Sequence, residues 1–224
     1  MAPSPPVFYL IPGLGADERV LQFLHLRGEV HLLHWLAPET PDESLPHYAV
    51  RFAAAVPVEQ ACWLVGISFG GLLALEVAKL RPRAQVVLIS SLANTRQLPP
   101  LLRLARATRL YRVVPPQLLK LAPRLAQWFF GAKNGKEYTL LHQIIDDTDP
   151  VFAQWAIAQL LGWDSTGVGR AIRIHGTHDR LLPAGTAPID YPIAGGGHFM
   201  IVSHAAQISR ILNHLAAAEE PQVS

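Results

Sequence analysis

Ser68 stands between two glycines spaced by one residue on either side, in Gly66-Ile67-Ser68-Phe69-Gly70. A serine hydroxyl is a weak nucleophile and attacks a carbonyl only when a neighbouring base takes its proton. His198, in Gly195-Gly196-Gly197-His198-Phe199, is the histidine best suited to be that base, because its glycine-rich loop can reach back toward an earlier segment. An imidazole in this role needs a carboxylate to fix its tautomer and to stabilise the imidazolium. Asp179, in His175-Gly176-Thr177-His178-Asp179, falls between the other two in chain order and meets that need. The negative oxygen that develops during attack needs two fixed donors. The N–H of Phe69 follows the nucleophile, and the N–H of Leu14 lies in the glycine-bearing stretch Pro12-Gly13-Leu14-Gly15. These residue types point to acyl transfer through Ser68.

The competing readings are weaker. A dinucleotide site would need Gly-x-Gly-x-x-Gly, but the run that begins at Gly13 has Glu18 in the last position. His31 and His34 lie in or near a strand pattern, and His142, His204 and His214 suit helix surfaces. Asp146, Asp147 and Asp149 fall within a helical stretch. Ser90-Ser91-Leu92-Ala93-Asn94, another place for an acid, holds no carboxylate. No metal-ligand pattern such as H-E-x-x-H occurs, and this chemistry needs neither metal nor cofactor.

The elements that must position these residues follow from the apolar pattern. Short β-rich runs at 7–11, 30–35, 62–67, 85–89 and 171–175, with a last one near 189–193, alternate with helical patterns at 17–26, 44–56, 69–80 and 204–218. Ser203 is the expected cap of the closing helix. Such alternation predicts an α/β fold with a mostly parallel sheet of about six strands, covered by helices on both faces. Right-handed crossovers put all the strand C-termini along one edge, where ligands bind in open sheets. The Gly13 stretch, Ser68, Asp179 and His198 each follow an expected strand.

Residues 93–166 break the rhythm. They contain no strand pattern, several leucine-rich helical ones, and the interruptions Pro99-Pro100, Pro115-Pro116, Pro123 and Pro150. The expected organisation is a core of 1–92 and 167–224 with a helical cap of 93–166 over the active edge. Leu98, Leu101, Leu102, Leu104, Leu110, Trp128, Phe129, Phe130, Phe152 and Trp155 are its candidates to line an apolar pocket or to pack it onto the core. Eleven of the nineteen Lys and Arg residues lie between Arg81 and Lys136, and none of the seventeen Asp and Glu residues does. Arg103, Arg106, Arg109 and Arg112 recur every three residues on one expected helix. They form a solvated face, attract an anionic substrate or touch an acidic membrane surface.

The segments Leu10 to Gly15, Leu64 to Gly71, Ile174 to Asp179 and Gly196 to Phe199 resemble the α/β-hydrolase superfamily, and the resemblance spans nearly the whole chain. It is nearest to small, cofactor-free, esterase-like members with a helical cap. The resemblance implies a Ser68–His198–Asp179 triad, an oxyanion hole of the Leu14 and Phe69 amides, and substrate contacts from Gly13, Leu14, Phe69 and Phe199. It implies a carboxylic-ester hydrolase (EC 3.1.1) acting on a small acyl ester, thioester or lactone through an acyl-enzyme. Two alternatives stay open: a lyase on the same fold that cleaves a hydroxynitrile or a C–C bond, and a ligand-binding receptor with little turnover. There are departures. The oxyanion loop reads Pro12-Gly13 where His-Gly is common, and the first two strands of the full fold are missing.

Composition narrows the rest. Half the residues are hydrophobic and 16% are charged, which excludes a disordered chain and gives enough apolar surface for a core. Cys62 is the single cysteine, so no internal disulfide forms. Residues Met1 to Pro6 lack the basic start and apolar core of a signal peptide, and no apolar run approaches the roughly 18 residues of a membrane span. A cytoplasmic protein with a small-molecule substrate that carries an anionic or apolar acyl group, no nucleic acid and no integral membrane association is the expectation; the sequence leaves the oligomeric state open.

Overall fold

The computed structural model describes residues 5–109, 111, 123–164, 170–185 and 188–218. Six strands, β1 (Val7–Ile11), β2 (Glu29–Leu32), β3 (Cys62–Ile67), β4 (Ala84–Ile89), β5 (Ile172–Gly176) and β6 (Tyr191–Ile193), form one sheet in the order β2-β1-β3-β4-β5-β6. Every adjacent pair is parallel. β1 and β3 are buried along their whole length, which is why they read as unbroken apolar runs.

The period of two along each strand sorts side chains onto two cores. Val7, Tyr9, Ile11, Leu64 and Leu88 pack with α2 (Leu45–Ala53) and α3 (Phe69–Lys79). Phe8, Leu10, Val65, Val87 and Ile89 face the opposite side, with α1 (Glu18–Leu21), α8 (Met200–Ser203) and α9 (Ala205–Ala218). α3 is buried on nearly all sides because helices lie on it as well as the sheet.

Between β4 and β5 the described residues carry a 3-10 turn at Thr95–Gln97 and then α4 (Pro100–Thr108), α5 (Pro123–Phe130), α6 (Gly135–Asp147) and α7 (Pro150–Gly162). Pro100 and Pro150 each stand at a helix start, where the missing N–H costs nothing. Asn134 and Asp149 cap α6 and α7 through their side chains. Two buried indoles tie α7 and its end to the core: Trp155 Nε1 donates to the Glu43 carbonyl at 2.8 Å, and Trp163 Nε1 to Glu76 Oε1 at 2.7 Å. Glu76 is buried but satisfied, since Lys79 Nζ also reaches it at 2.7 Å.

Several boundaries differ from the sequence expectation. The helix after β1 is a single turn capped by Asp17 rather than 17–26. β2 ends at Leu32, so Trp35 lies outside the sheet. β6 has three residues, and Pro192 is tolerated within it because β6 is an edge strand. The closing helix α9 begins at Ala205, close to the expected 204, but Ser203 is the last residue of α8 rather than the cap of α9, and its hydroxyl meets His204 Nδ1 at 2.8 Å. The basic helix also stops early. Arg103 and Arg106 lie on α4, but Arg109 takes the left-handed conformation (φ 54°) that ends it. Leu110 and Arg112 lie outside the described residues. No helix among the described residues is long and apolar enough to cross a membrane.

Candidate active site

The chain leaves β1 for β2 on one side and returns to β3 on the other. The loops that follow β1 and β3 therefore diverge, and a crevice opens between them at this switch in strand order. Gly13 and Ser68 face each other across it: a Cβ on Gly13 would lie 3.4 Å from Ser68 Cβ.

β3 turns directly into α3 at Ser68, whose φ of 52° and ψ of −121° are unfavourable for a residue with a side chain. The sharp turn holds the hydroxyl up over the strand ends, as a nucleophile elbow requires. It is possible because of Gly66, where a Cβ would sit 2.5 Å from Gly70 O and Gly71 Cα.

Three side chains expected to act together are in hydrogen-bond contact. His198 Nε2 lies 2.9 Å from Ser68 Oγ, and His198 Nδ1 lies 2.9 Å from Asp179 Oδ2. A carboxylate only accepts, so Nδ1 carries the proton and Nε2 is left to accept from the serine. The other Asp179 oxygen, Oδ1, accepts the N–H groups of Leu181 (3.0 Å) and Leu182 (2.9 Å). His175, on β5, donates Nε2–H to the Leu182 carbonyl at 2.8 Å and lies 3.4 Å from Asp179 Oδ2. Burial acts to raise the Asp179 carboxyl, but the charge of His198 and the hydrogen bonds from His175, His198 and Leu182 hold it well below the usual carboxylate range. Asp179 and His198 are both 5% exposed. The Phe130 ring meets the His198 ring edge-on at 5.5 Å, and its carbonyl accepts the Phe199 N–H at 2.8 Å, which anchors the histidine loop.

The two expected oxyanion donors are oriented from behind. In a trans peptide, the carbonyl of one residue and the N–H of the next point opposite ways in one plane. The Gly13 carbonyl, in the plane of Leu14 N–H, accepts Trp35 Nε1 at 3.1 Å and Ala16 N–H at 3.0 Å. The Ser68 carbonyl, in the plane of Phe69 N–H, accepts the Ser91 hydroxyl at 2.6 Å and Gly71 N–H at 2.9 Å. Among the described residues no protein acceptor takes the N–H of Leu14 or Phe69.

A model of the alpha/beta hydrolase family matches residues 8–211. The chain belongs to that family. Solved structures similar to it share the alpha/beta hydrolase fold at low identity. A hydrolase from Oleispira antarctica is 16% identical with a TM-score of 0.67, over 97% of this chain and 93% of the other. A thermophilic esterase from Thermogutta terrifontis is 13% identical with a TM-score of 0.67, over 96% and 90%. A bromoperoxidase from Bacillus anthracis is 14% identical with a TM-score of 0.67, over 97% and 93%. No curated protein sequence matches the chain.

In this alpha/beta hydrolase the space above Ser68 is a cavity of about 680 Å³. Gly13, Leu14, Phe69 and Phe199, the expected substrate contacts, all line it. Of the apolar residues expected from the inserted helices, Leu101, Leu102, Phe129 and Phe130 line it as well. Leu98, Phe152 and Trp155 do not; they are buried in the core between α2, α3 and the inserted helices. Leu104 is exposed, and Trp128 is exposed beside a separate cavity.

Sequence reasoning missed Trp35, Ser91 and His175. His175 carried a signal, four residues before Asp179 in the same stretch. Trp35 and Ser91 carried none, because their partners are backbone carbonyls distant in sequence. Away from the site, ligand atoms of Glu39, Glu43 and His47 lie within 4.8 Å of one another, but the Glu43 carboxylate is already engaged by Arg51, His47 and the Glu39 N–H.

Proposed function

We propose that this alpha/beta hydrolase is a serine esterase that cleaves a carboxylic ester, thioester or lactone of an apolar acyl group. The observation that carries the reading is the continuous chain of contacts from Ser68 Oγ to His198 Nε2 and from His198 Nδ1 to Asp179 Oδ2, each 2.9 Å long. His198 takes the Ser68 proton as the oxygen attacks the carbonyl carbon. Asp179, ionised, balances the imidazolium that forms. The Leu14 and Phe69 N–H groups receive the oxyanion. The imidazolium then protonates the leaving group, and water activated by His198 releases the acid and regenerates Ser68.

The cavity supports the acyl preference. Its volume of about 680 Å³ falls in the range of small-molecule sites, and aliphatic and aromatic side chains dominate its walls. Residues 93–166 act as the cap: α4 to α7 supply Leu101, Leu102, Phe129, Ile144 and Leu160 to the wall opposite the strand ends. The cap selects the acyl group, while the core at 1–92 and 167–224 performs the chemistry.

The test is hydrolysis of p-nitrophenyl esters from acetate to dodecanoate. The reading expects a preference for medium over two-carbon acyl groups and a fall in kcat of about 10⁴-fold or more in Ser68→Ala. Folded protein that turns over no ester, thioester or lactone would direct attention to a lyase or receptor instead.

A further inference from the structure

A second cavity, of about 380 Å³, lies beside the first. Its lining includes Arg124, Lys133, His178 and Arg180, and, among the described residues, no aspartate or glutamate. The backbone of Gly195 and Gly197, which leads to His198, forms part of its wall. Arg180 lines both cavities, so the two adjoin at this residue. Among the described residues around the apolar cavity it is the single Arg, Lys, Asp or Glu.

Arg180 is held in place. Its guanidinium carbon lies 4.7 Å from the centre of the Trp128 ring, and Nη1 donates to the Trp128 carbonyl at 3.1 Å. Lys133 Nζ donates to the Gly195 carbonyl at 2.9 Å. Each contact uses one N–H and leaves the others unspent. Among the described residues neither Arg124, Lys133 nor Arg180 pairs with a carboxylate. The nearby Glu137 turns its oxygens onto the Lys133 N–H and the Asn134 amide. Three cations around a concave surface that no described carboxylate lines focus a positive potential there. The donors left over on a guanidinium match the paired oxygens of a carboxylate or phosphate.

We propose that the basic cavity is an anion subsite, and that the substrate is an amphiphile whose apolar chain fills the larger cavity while its carboxylate or phosphate is received at Arg180, Arg124 and Lys133. This rests on the esterase reading for its reaction, but the binding of the anion does not depend on turnover. The anion lies on one of two parts of the ester. A phosphate on the alcohol part and a carboxylate at the far end of the acyl part share the chemistry that Arg180 recognises.

Two measurements test the proposal. The first compares kcat/KM within matched pairs: octanoylglycerol phosphate against octanoylglycerol, and the monomethyl ester of a ten-carbon diacid against methyl nonanoate. The anionic member of at least one pair is expected to be favoured about tenfold, and Arg180→Gln to lower that ratio about tenfold through KM. The pair that shows the preference identifies which part carries the anion. Arg124→Gln, on the exposed face of α5, lowers the same ratio should Arg180→Gln fail to fold. The second is calorimetric titration of Ser68→Ala with octyl phosphate and octyl glucoside, where the phosphate is expected to bind at least tenfold more tightly, and less so with Arg180→Gln added. Equal kcat/KM within both pairs, or equal affinity of Ser68→Ala for the two octyl ligands, overturns the anion subsite and leaves the esterase reading standing. Absence of all ester turnover together with tight phosphate binding removes the esterase reading and leaves the subsite.

Discussion

The Ser91 hydroxyl donates to the Ser68 carbonyl at 2.6 Å, and that carbonyl shares its peptide plane with the Phe69 N–H. A side chain just beyond β4 therefore helps orient the backbone N–H that is proposed to receive the oxyanion. Ser91→Ala keeps the Gly71 N–H on the same carbonyl but removes the stronger contact. The account expects kcat for a medium-chain ester to fall several-fold, about 3- to 10-fold, with KM nearly unchanged. Steady-state kinetics on a p-nitrophenyl octanoate series checks it. A raised KM with intact kcat would mean that Ser91 shapes the pocket rather than the oxyanion donor.

Trp35 does the corresponding job for Leu14. Its Nε1 donates to the Gly13 carbonyl, while its ring stacks on Phe69 at 5.4 Å and leans on Phe52 and Phe152. Trp35→Phe keeps an aromatic ring in that cluster and deletes only the donor and the second ring. The fall in kcat is expected to be about tenfold, and Trp35→Phe combined with Ser91→Ala should lose more than either alone. Unchanged kcat in a folded Trp35→Phe protein would show that the Ala16 N–H is enough to orient the Gly13 peptide.

How far the sequence could be read depends on whether the cause was local. The six strands were legible from runs such as Val7 to Ile11 and Cys62 to Ile67, whose apolar character reflects burial on both faces. The Gly66-x-Ser68-x-Gly70 spacing was legible because a steric need of the turn, with no room for a Cβ at Gly66, is written in residue type. Arg103 to Arg112 misled, since a repeat of three does not reveal that Arg109 turns left-handed and ends α4. The proline interruptions at 100 and 150 were readable as boundaries, but they start helices here rather than end them. Trp35, Ser91 and the meeting of two cavities at Arg180 depend on contacts between distant segments and leave no local trace.

Stability and pH are linked at Glu43. Its side chain is 2% exposed and receives Arg51 Nη2 at 2.7 Å and the Glu39 N–H at 2.7 Å, while its carbonyl accepts Trp155 from α7. Burial acts to raise this carboxyl, but hydrogen bonds from the Glu39 N–H, Arg51 and His47, together with the Arg51 charge, bring it below its ordinary value of 4.5. A carboxylate lowered on folding stabilises the native state fully above its unfolded value, and the contribution is lost as pH falls through the folded value. Glu43→Gln is therefore expected to cost roughly 1–3 kcal/mol at pH 7, with the gap to wild type narrowing below about pH 4.5. Urea unfolding at pH 7, 5, 4 and 3 checks the sign. A gap that widens toward acid would contradict it.

The most direct test of the central claim is covalent labelling of the native protein with a fluorophosphonate, followed by intact mass and peptide mapping. The account predicts one adduct per chain, located on Ser68, with none on Ser68→Ala and labelling slowed by orders of magnitude in His198→Ala. A folded wild-type protein that takes no label, or takes it at another residue, would contradict the assignment of Ser68 as an activated nucleophile.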